Sequence, residues 1–142
     1  MIDAQLTRDF RASEFACSHC GRAGIHQWFV EHLQALRDYH GRPLIVTSGY
    51  RCELHHIERR KAKPGRHAEG IAADIRIVGV PLLTIWRSLA SFPQFTGIGV
   101  NRHADFIHLD ARPLRPLGAR VVWAYDKTGQ QVRWSGKWEE LP

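Results

Sequence analysis

The sequence has no long hydrophobic run. Its longest apolar stretches cover residues 43–46 and 77–83, and Gly79 and Pro81 interrupt the second of them. A membrane-spanning helix needs about 20 apolar residues, so no transmembrane segment is expected. Residues 1–10 mix acidic and basic side chains without an apolar centre, which is unlike a secretory signal. We therefore expect a cytoplasmic protein that reaches any target outside the membrane only after release.

Cysteine is also scarce, with three residues among 142. An odd number of cysteines without a secretory signal argues against a disulfide framework. Cys17-Ser-His-Cys20 has the ligand spacing of a structural zinc site, but such a site needs four ligands. Cys52 and His19 are the candidates to complete it. We expect a reduced thiol cluster here rather than a second metal.

Acidic residues are fewer than basic ones, 14 against 20, which gives a net charge of +6. A basic surface attracts polyanions, and much of the surplus lies in residues 59–66. The sequence has neither helix-turn-helix punctuation nor an aromatic-basic RNA-binding pattern, so no nucleic-acid partner is expected. Attraction to an anionic cell-wall polymer and an ordinary solvated basic loop both remain open.

Length and composition fit one globular domain over residues 1–142, which we expect to be a monomer. The chain is 44% hydrophobic and 24% charged, within the globular range. Residues 26–40 repeat apolar side chains at intervals of three and four, which predicts an amphipathic helix that ends at Gly41. Residues 81–89 have proline in their first turn and predict a second helix.

Short β-branched or alternating segments predict a sheet. They cover residues 44–47, 71–78, 96–100 and 105–110. Residues 52–66 are polar and basic, as in a long exposed loop. Residues 121–125 and 131–134 flank Asp126-Lys-Thr-Gly129, which is typical of a hairpin turn. The whole pattern predicts an α+β fold in which helices flank a small, mostly antiparallel sheet.

One segment places a histidine and a carboxylate where both can reach the same metal ion. In His67-Ala-Glu-Gly-Ile-Ala-Ala-Asp74 a loop histidine precedes a carboxylate on the following strand, and Gly70 permits a close turn between them. Asp74 lies among apolar residues, where a carboxylate needs a cation or several hydrogen-bond donors. A solvated loop histidine is the alternative for His67.

A second segment, His103-Ala-Asp-Phe-Ile-His-Leu-Asp110, concentrates ligand types on one strand. Strand alternation places His108 and Asp110 on one face and Asp105 on the other. Asp105 therefore reaches a site shared with His108 only if the chain bends near the start of the strand. A salt-bridged edge strand is the alternative for this segment.

A third segment, Thr47-Ser-Gly-Tyr-Arg51, ends the first predicted strand. Its glycine permits a tight turn, after which Arg51 projects over the ends of the sheet. There its guanidinium can bind a carboxylate or a developing oxyanion. A surface arginine without a function is the alternative.

Taken together, these segments resemble a known family. They occur in the order Ser13-Glu-Phe-Ala-Cys17, Thr47-Ser-Gly-Tyr-Arg-Cys52, His67-x-x-Gly-x-Ala-x-Asp74 and Phe106-Ile-His-Leu-Asp110. This combination resembles the zinc D-Ala-D-Ala carboxypeptidases and their murein endopeptidase and phage endolysin relatives, which share the fold of the hedgehog signalling domain. The resemblance covers about residues 9–112, and the hairpin at 119–134 lies outside it.

The resemblance implies a catalytic zinc ion held by His67, Asp74 and His108. Three protein ligands of this kind leave a fourth position for water, as in catalytic zinc sites. The implied activity is hydrolysis of peptide bonds in peptidoglycan, either at a carboxyl terminus or within a stem peptide or cross-link. The implied source of an unexported member is a phage endolysin, which reaches the cell wall after release.

The resemblance also implies roles for three other residues. Asp105 stands three residues before the last zinc ligand, at the position of the catalytic carboxylate. Arg51 and His103 stand where some members bind the carbonyl or carboxylate of the substrate. The family commonly has serine two residues before its first ligand, where this sequence has Gly65, and the preceding loop is more basic here.

Two other functions remain open at this stage. A metal-stabilised binding module without catalysis, as in the hedgehog relatives, has the same ligands. It is favoured if Asp105 points away from the metal, or if zinc binds without any cleavage. A basic nucleic-acid-binding protein is the other alternative, and salt-dependent binding at physiological ionic strength would favour it.

Overall fold

The structure, a computed structural model, describes residues 3–114 and 119–142. Residues 1–2, which begin the segment 1–10 discussed above, and residues 115–118 lie outside that description. The described strands are β1 (Leu44–Ser48), β2 (Ala72–Ile77), β3 (Gly97–Asn101), β4 (Phe106–Asp110), β5 (Val121–Tyr125) and β6 (Gln131–Val132). They accompany the helices α1 (Gln27–His40) and α2 (Leu82–Ser88) and short 3₁₀ turns at Ala12–Phe15, Glu58–Arg60, Leu89–Ser91 and Trp138–Glu140.

The strands form one open sheet in the order β1-β2-β4-β3-β5-β6. Neighbouring strands run antiparallel, apart from β3 and β5, which are parallel. The predicted α+β class with a mostly antiparallel sheet is therefore confirmed. The parallel pair brings β5 beside β3, although β4 intervenes between them in the chain.

Helix α1 forms where the apolar periodicity predicted it. Phe29, Val30, Leu33 and Leu36 recur at helical intervals and are buried. The helix ends at Gly41, which adopts the left-handed conformation and donates its N–H to the carbonyl of Arg37. Among the described residues, no helix is both long and apolar enough to span a membrane.

The two faces of the sheet have different surroundings. Alternate residues of the central strands, including Ile75, Ile98 and Ile107, pack with α1 and α2 in the main hydrophobic core. Side chains at the intervening positions, such as Asp74 and His108, point to the opposite face. This second face carries the charged and aromatic residues of the candidate site.

Candidate metal centre

Asp74 and His108 lie side by side because β2 and β4 pair in register. The two residues are direct partners across the antiparallel ladder, so their side chains share one face. His108 Nδ1 is 3.0 Å from Asp74 Oδ1. Only 7% of the His108 side chain and 13% of the Asp74 side chain are exposed. The sheet register thus positions two of the three candidate ligands.

His67 reaches the same point from the loop between β1 and β2. Its Nε2 lies 3.2 Å from His108 Nδ1 and 3.3 Å from Asp74 Oδ1. Gly70 has a φ of +75°, and a Cβ atom there would lie 2.1 Å from the carbonyl oxygen of Gly24. A residue without a side chain is therefore required for the turn that returns the chain from His67 to β2.

Hydrogen bonds fix which ring nitrogen each histidine presents to the site. His67 Nδ1 is 2.7 Å from the carbonyl oxygen of Gly49, which can only accept, so this nitrogen carries the proton. His108 Nε2 is 2.7 Å from a carboxylate oxygen of Asp110 and carries its proton for the same reason. His67 Nε2 and His108 Nδ1 then face Asp74 with their lone pairs. Three acceptor atoms converge on one point.

The charge states of His67 and Asp74 agree with this arrangement, whereas the carboxylates beside His108 favour a second proton on its ring. Burial lowers the pKa of His67 by more than Asp74 raises it, so this imidazole is neutral. Burial also lowers the pKa of His108, but the carboxylates of Asp110 and Asp74 raise it by more. Burial raises the pKa of Asp74, yet the two histidines hold it well below its usual range. An ionised carboxylate therefore lies between two imidazoles.

A divalent cation fits these acceptors better than a proton does. A proton on His108 Nδ1 can bridge to Asp74 Oδ1, but it leaves the lone pair of His67 Nε2 without a donor. Ligand atoms about 2.05 Å from a tetrahedral zinc ion lie about 3.3 Å apart. The three observed separations are 3.0, 3.2 and 3.3 Å. The donor set thus matches three corners of a zinc tetrahedron.

Asp110 supports the site from behind His108. Its carboxylate is fully buried and accepts hydrogen bonds from the Nε, Nη2 and backbone N–H of Arg112. These contacts and His108 lower the pKa of Asp110 despite its burial. The guanidinium of Arg112 also lies over the ring of Trp123, 4.9 Å from the ring centroid. Such a carboxylate fixes the orientation of a metal-ligating imidazole and increases its basicity.

Gly97 has no side chain, and the carboxylate of Asp110 occupies the space that a side chain at position 97 would need. It pairs with Asp110 across β3 and β4, and a Cβ atom at position 97 would lie 2.2 Å from Asp110 Oδ1. Gly97→Ala should displace this carboxylate and lower zinc affinity by about 10–100-fold. Competition with a chromophoric chelator measures the affinity. Ile98→Val, on the opposite face of the same strand, serves as a control that tests packing alone. An unchanged affinity in folded Gly97→Ala protein would contradict this account of Asp110.

An open cleft adjoins the three convergent side chains. Its walls come from the loop between β1 and β2, from the start of β4 and from the β5–β6 hairpin. They include Thr47, Arg51, Lys61, Lys63, Arg66, Glu69, Ala104, Phe106, Tyr125 and Gln131. The basic run predicted as an exposed loop therefore forms one side of this cleft. A groove of this kind can accept an extended chain.

Arg51 lines the cleft and forms an ion pair with a buried carboxylate, although its Nε has no hydrogen-bond partner among the described residues. Arg51 Nε lies 3.4 Å from Oε2 of Glu58, whose side chain is fully buried. Glu58 also accepts from the Lys61 ammonium and the backbone N–H of Gly65. Burial raises the pKa of Glu58, but these donors and the nearby cations lower it by more. Glu58 thus ties the 52–66 loop to the base of the cleft.

Asp105 and His103 lie in the turn that connects β3 and β4. Both residues are exposed, and Asp105 has a φ of +55°, which is uncommon for a residue other than glycine. The side chain of Asn101 accepts the N–H of Ala104 and holds this turn. The bend that Asp105 requires is therefore present, and its neighbours Ala104 and Phe106 line the cleft. Catalytic roles for Asp105 and His103 stay predictions.

Two aromatic residues of β5 belong to the site although the sequence did not indicate them. Trp123 pairs with Gly99 in the parallel ladder, and its ring centroid lies 5.2 Å from the ring centroid of His108. Tyr125 lines the cleft. Burial and the charge of Asp74 raise the pKa of Tyr125 to about 12, so its phenol stays protonated. The Gly97-Ile-Gly99 spacing was the available signal, since glycine within a strand often marks a close approach.

Comparison with known sequences defines the family. The profile described as Peptidase M15 matches residues 7–110. That range includes all three candidate ligands and ends at Asp110, before β5. The chain belongs to the Peptidase M15 family.

Several curated relatives carry closely similar names. The peptidoglycan L,D-endopeptidases MepK of Escherichia coli strain K12 and of Shigella flexneri are each 30% identical over 115 residues, which cover 76% of this chain and 59% of the relative. The probable peptidoglycan L,D-endopeptidase MepK of Haemophilus influenzae is 37% identical over 75 residues, 49% of this chain and 40% of the relative. The matched segments thus span between two fifths and three fifths of the length of these relatives.

Proposed function

We propose that this protein is a zinc-dependent peptidase that hydrolyses peptide bonds in peptidoglycan, with His67, Asp74 and His108 as the zinc ligands. The observation that carries the proposal is the convergence of three acceptor atoms within 3.3 Å of one another. Membership in the Peptidase M15 family supports the reaction type. Similarity to proteins named peptidoglycan L,D-endopeptidases supports the substrate class.

Residues beside the proposed zinc site would carry out the proton transfers of hydrolysis. When bound, zinc would polarise the scissile carbonyl and make a water molecule more acidic. Asp105 would accept a proton from the attacking water and deliver it to the nitrogen of the leaving amine. The new C–O bond then replaces the C–N bond, and one water molecule is consumed. Asp105 lies in the chain between Ala104 and Phe106, which both line the cleft.

The oxyanion that develops during attack needs hydrogen-bond donors. Tyr125 keeps its proton because its pKa is raised to about 12, and it lines the cleft from β5. Arg51, one donor expected from the sequence, lines the same cleft, and His103, the other, lies in the β3–β4 turn that contributes Ala104 to the cleft. A donor of this kind contributes about 3–4 kcal/mol to transition-state stabilisation.

The ion pair of Arg51 and the open form of the cleft favour an endopeptidase over a carboxypeptidase. A carboxypeptidase requires a cation that is available to the terminal carboxylate of its substrate. Arg51 is paired with the buried Glu58, and Lys61 pairs with the same carboxylate. An open groove suits the interior of a stem peptide or a cross-link. The names of the relatives support the same choice.

The proposal is tested by digestion of purified peptidoglycan followed by mass spectrometry of the soluble fragments. We expect fragments with new amino termini inside the stem peptides or cross-links. His67→Ala protein purified in parallel is the control, because it carries the same contaminants. Release of free D-alanine alone would identify a carboxypeptidase. Peptidoglycan binding and zinc uptake without cleavage would identify a binding module.

Action after release from a lysing cell, the endolysin role expected from the sequence, is part of this proposal. The net charge of +6 supports attraction to an anionic cell wall. Three of the basic residues concerned, Lys61, Lys63 and Arg66, line the cleft itself. Their position favours contact with the substrate over an ordinary solvated loop.

A further inference from the structure

The three cysteines come together in a group separate from that of His67, Asp74 and His108. Cys17 and Cys20 belong to the turn after the first 3₁₀ segment, and Cys52 follows Arg51 in the loop after β1. Their Sγ atoms all lie within 4.8 Å of one another. Cys17 and Cys52 are buried, and Cys20 is exposed at the edge. Residues 32 positions apart in the sequence thus form one thiol cluster.

The backbone around Cys17 has the form of a metal-binding knuckle. The N–H of Gly21 donates to the carbonyl of Cys17 at 2.8 Å, and Gly21 takes a positive φ of 75° to close the turn. The backbone N–H groups of His19 and Cys52 both point at Cys17 Sγ, at 3.4 and 3.3 Å. Two donors aimed at one sulfur stabilise a thiolate over a thiol. The thiolate is the form that binds metal.

A nitrogen ligand lies beside the sulfur atoms. His19 Nδ1 is 3.4 Å from Cys52 Sγ. Around a tetrahedral zinc ion, two sulfur ligands lie about 3.8 Å apart and a sulfur and a nitrogen about 3.6 Å apart. The Sγ atoms lie within 4.8 Å of one another, and the separation of His19 Nδ1 from Cys52 Sγ is 3.4 Å. A set of three cysteines and one histidine is a common composition for a structural zinc site.

We propose that Cys17, Cys20 and Cys52 bind a second, structural zinc ion, with His19 as the fourth ligand. The sequence alone favoured a reduced thiol cluster. Only the folded chain brings Cys52 and His19 close to Cys17 and Cys20. Four protein ligands close this site to water, so its zinc does not act in catalysis. Its ligands are mainly sulfur, whereas the site at His67 offers only nitrogen and oxygen.

The position of the cluster defines what the ion stabilises. It joins the N-terminal segment to the loop that supplies Arg51 and Glu58 to the cleft. The same two segments meet where the N–H of Tyr50 donates to the carbonyl of Phe15 at 2.9 Å. A zinc ion here would fix the cleft wall to the body of the protein. We therefore expect its removal to affect stability before it affects chemistry.

The proposal is tested on the full chain by zinc analysis and zinc-edge X-ray absorption under reducing conditions. Wild-type protein should hold two zinc ions per chain. His67→Ala should retain one, with sulfur scatterers at about 2.3 Å. Because this signal is read in a variant without His67, it does not depend on the proposed peptidase function. A chain with one zinc ion and nitrogen and oxygen scatterers alone would overturn the proposal.

Two variants locate the second ion. Cys20→Ser changes the exposed thiol, so it should lose one zinc ion and still fold, with a melting temperature lower by about 5 °C or more. His19→Ala should weaken retention of the same ion, and the exposed His56→Ala is its matched control. Unchanged zinc content in Cys20→Ser would overturn the proposal. So would a single reactive thiol in denatured, unreduced protein, because it would show that the other two form a disulfide.

Discussion

Replacing His67 with alanine is expected to remove the zinc ion nearest the cleft and to lower peptidoglycan hydrolysis by about 1,000-fold or more. The imidazole supplies one of three converging acceptors, and the other two cannot hold the ion in a tetrahedral site alone. Loss of the ion removes several kcal/mol of transition-state stabilisation, at about 1.4 kcal/mol for each tenfold change in rate. Zinc analysis and a turbidity assay on purified cell walls measure the two effects.

The control for this substitution is His56→Ala. His56 is an exposed histidine of the same loop, and it does not belong to the convergent group. Its loss should leave both zinc content and hydrolysis unchanged. A His67→Ala protein that is folded, inactive and still fully loaded with zinc would show that His67 acts on substrate and not on metal. Circular dichroism distinguishes these results from simple unfolding, since His67 also bonds Gly49.

The β5 strand gives this chain a part of its site that the family match does not include. The matched region ends at residue 110, whereas Trp123 and Tyr125 follow it. Trp123 packs against His108, and Tyr125 forms part of the cleft wall. Residues that contact substrate outside the shared region can differ between members without altering the metal ligands. The three candidate metal ligands therefore lie within the matched region, and part of the cleft wall lies outside it.

The sequence was sufficient to predict the elements and the shared face of His108 and Asp110 for a physical reason, whereas the set His67, Asp74 and His108 was implied by the family resemblance. Alternation along a strand places His108 and Asp110 on one face, and the 2.7 Å contact between their side chains confirms that prediction. The apolar surroundings of Asp74 indicated a carboxylate with an unusual partner. Strand and helix periodicities are local properties, so they can be recognised in the sequence without knowledge of the topology.

Contacts that depend on topology or on an irregular loop were not predictable. Nothing in the sequence indicated that β5 pairs with β3, so Tyr125 was not recognised as part of the cleft. The 52–66 loop has no periodicity, and the pairing of Arg51 with Glu58 depends on how that loop folds back. Cys52 meets the other cysteines for the same reason. Sequence reasoning recovered what alternation and spacing encode, and it missed what long-range packing decides.

Asp105→Asn is expected to lower the turnover number by about 100-fold or more while zinc content and melting temperature stay unchanged. A general base contributes about 10²–10⁴-fold, and an amide cannot accept the proton. Asparagine has the size of aspartate and also tolerates the left-handed conformation that position 105 adopts. The substitution therefore removes the proton acceptor and leaves the β3–β4 turn intact. Turnover is measured on a soluble cross-linked peptide at saturating concentration.

Alanine at the same position tests the turn as well as the chemistry. Asp105→Ala should also lose about 1–2 kcal/mol of stability. Alanine lacks the short polar side chain that lets aspartate and asparagine tolerate a φ of +55°. Asp38→Asn, an exposed carboxylate on α1, is the matched control. If Asp105→Asn retains wild-type turnover, the base lies elsewhere. Asp110 is then a poor candidate, since it is buried and bound by Arg112, whereas Glu69 lines the cleft with its carboxylate partly exposed. Glu69→Gln would be the next variant to measure.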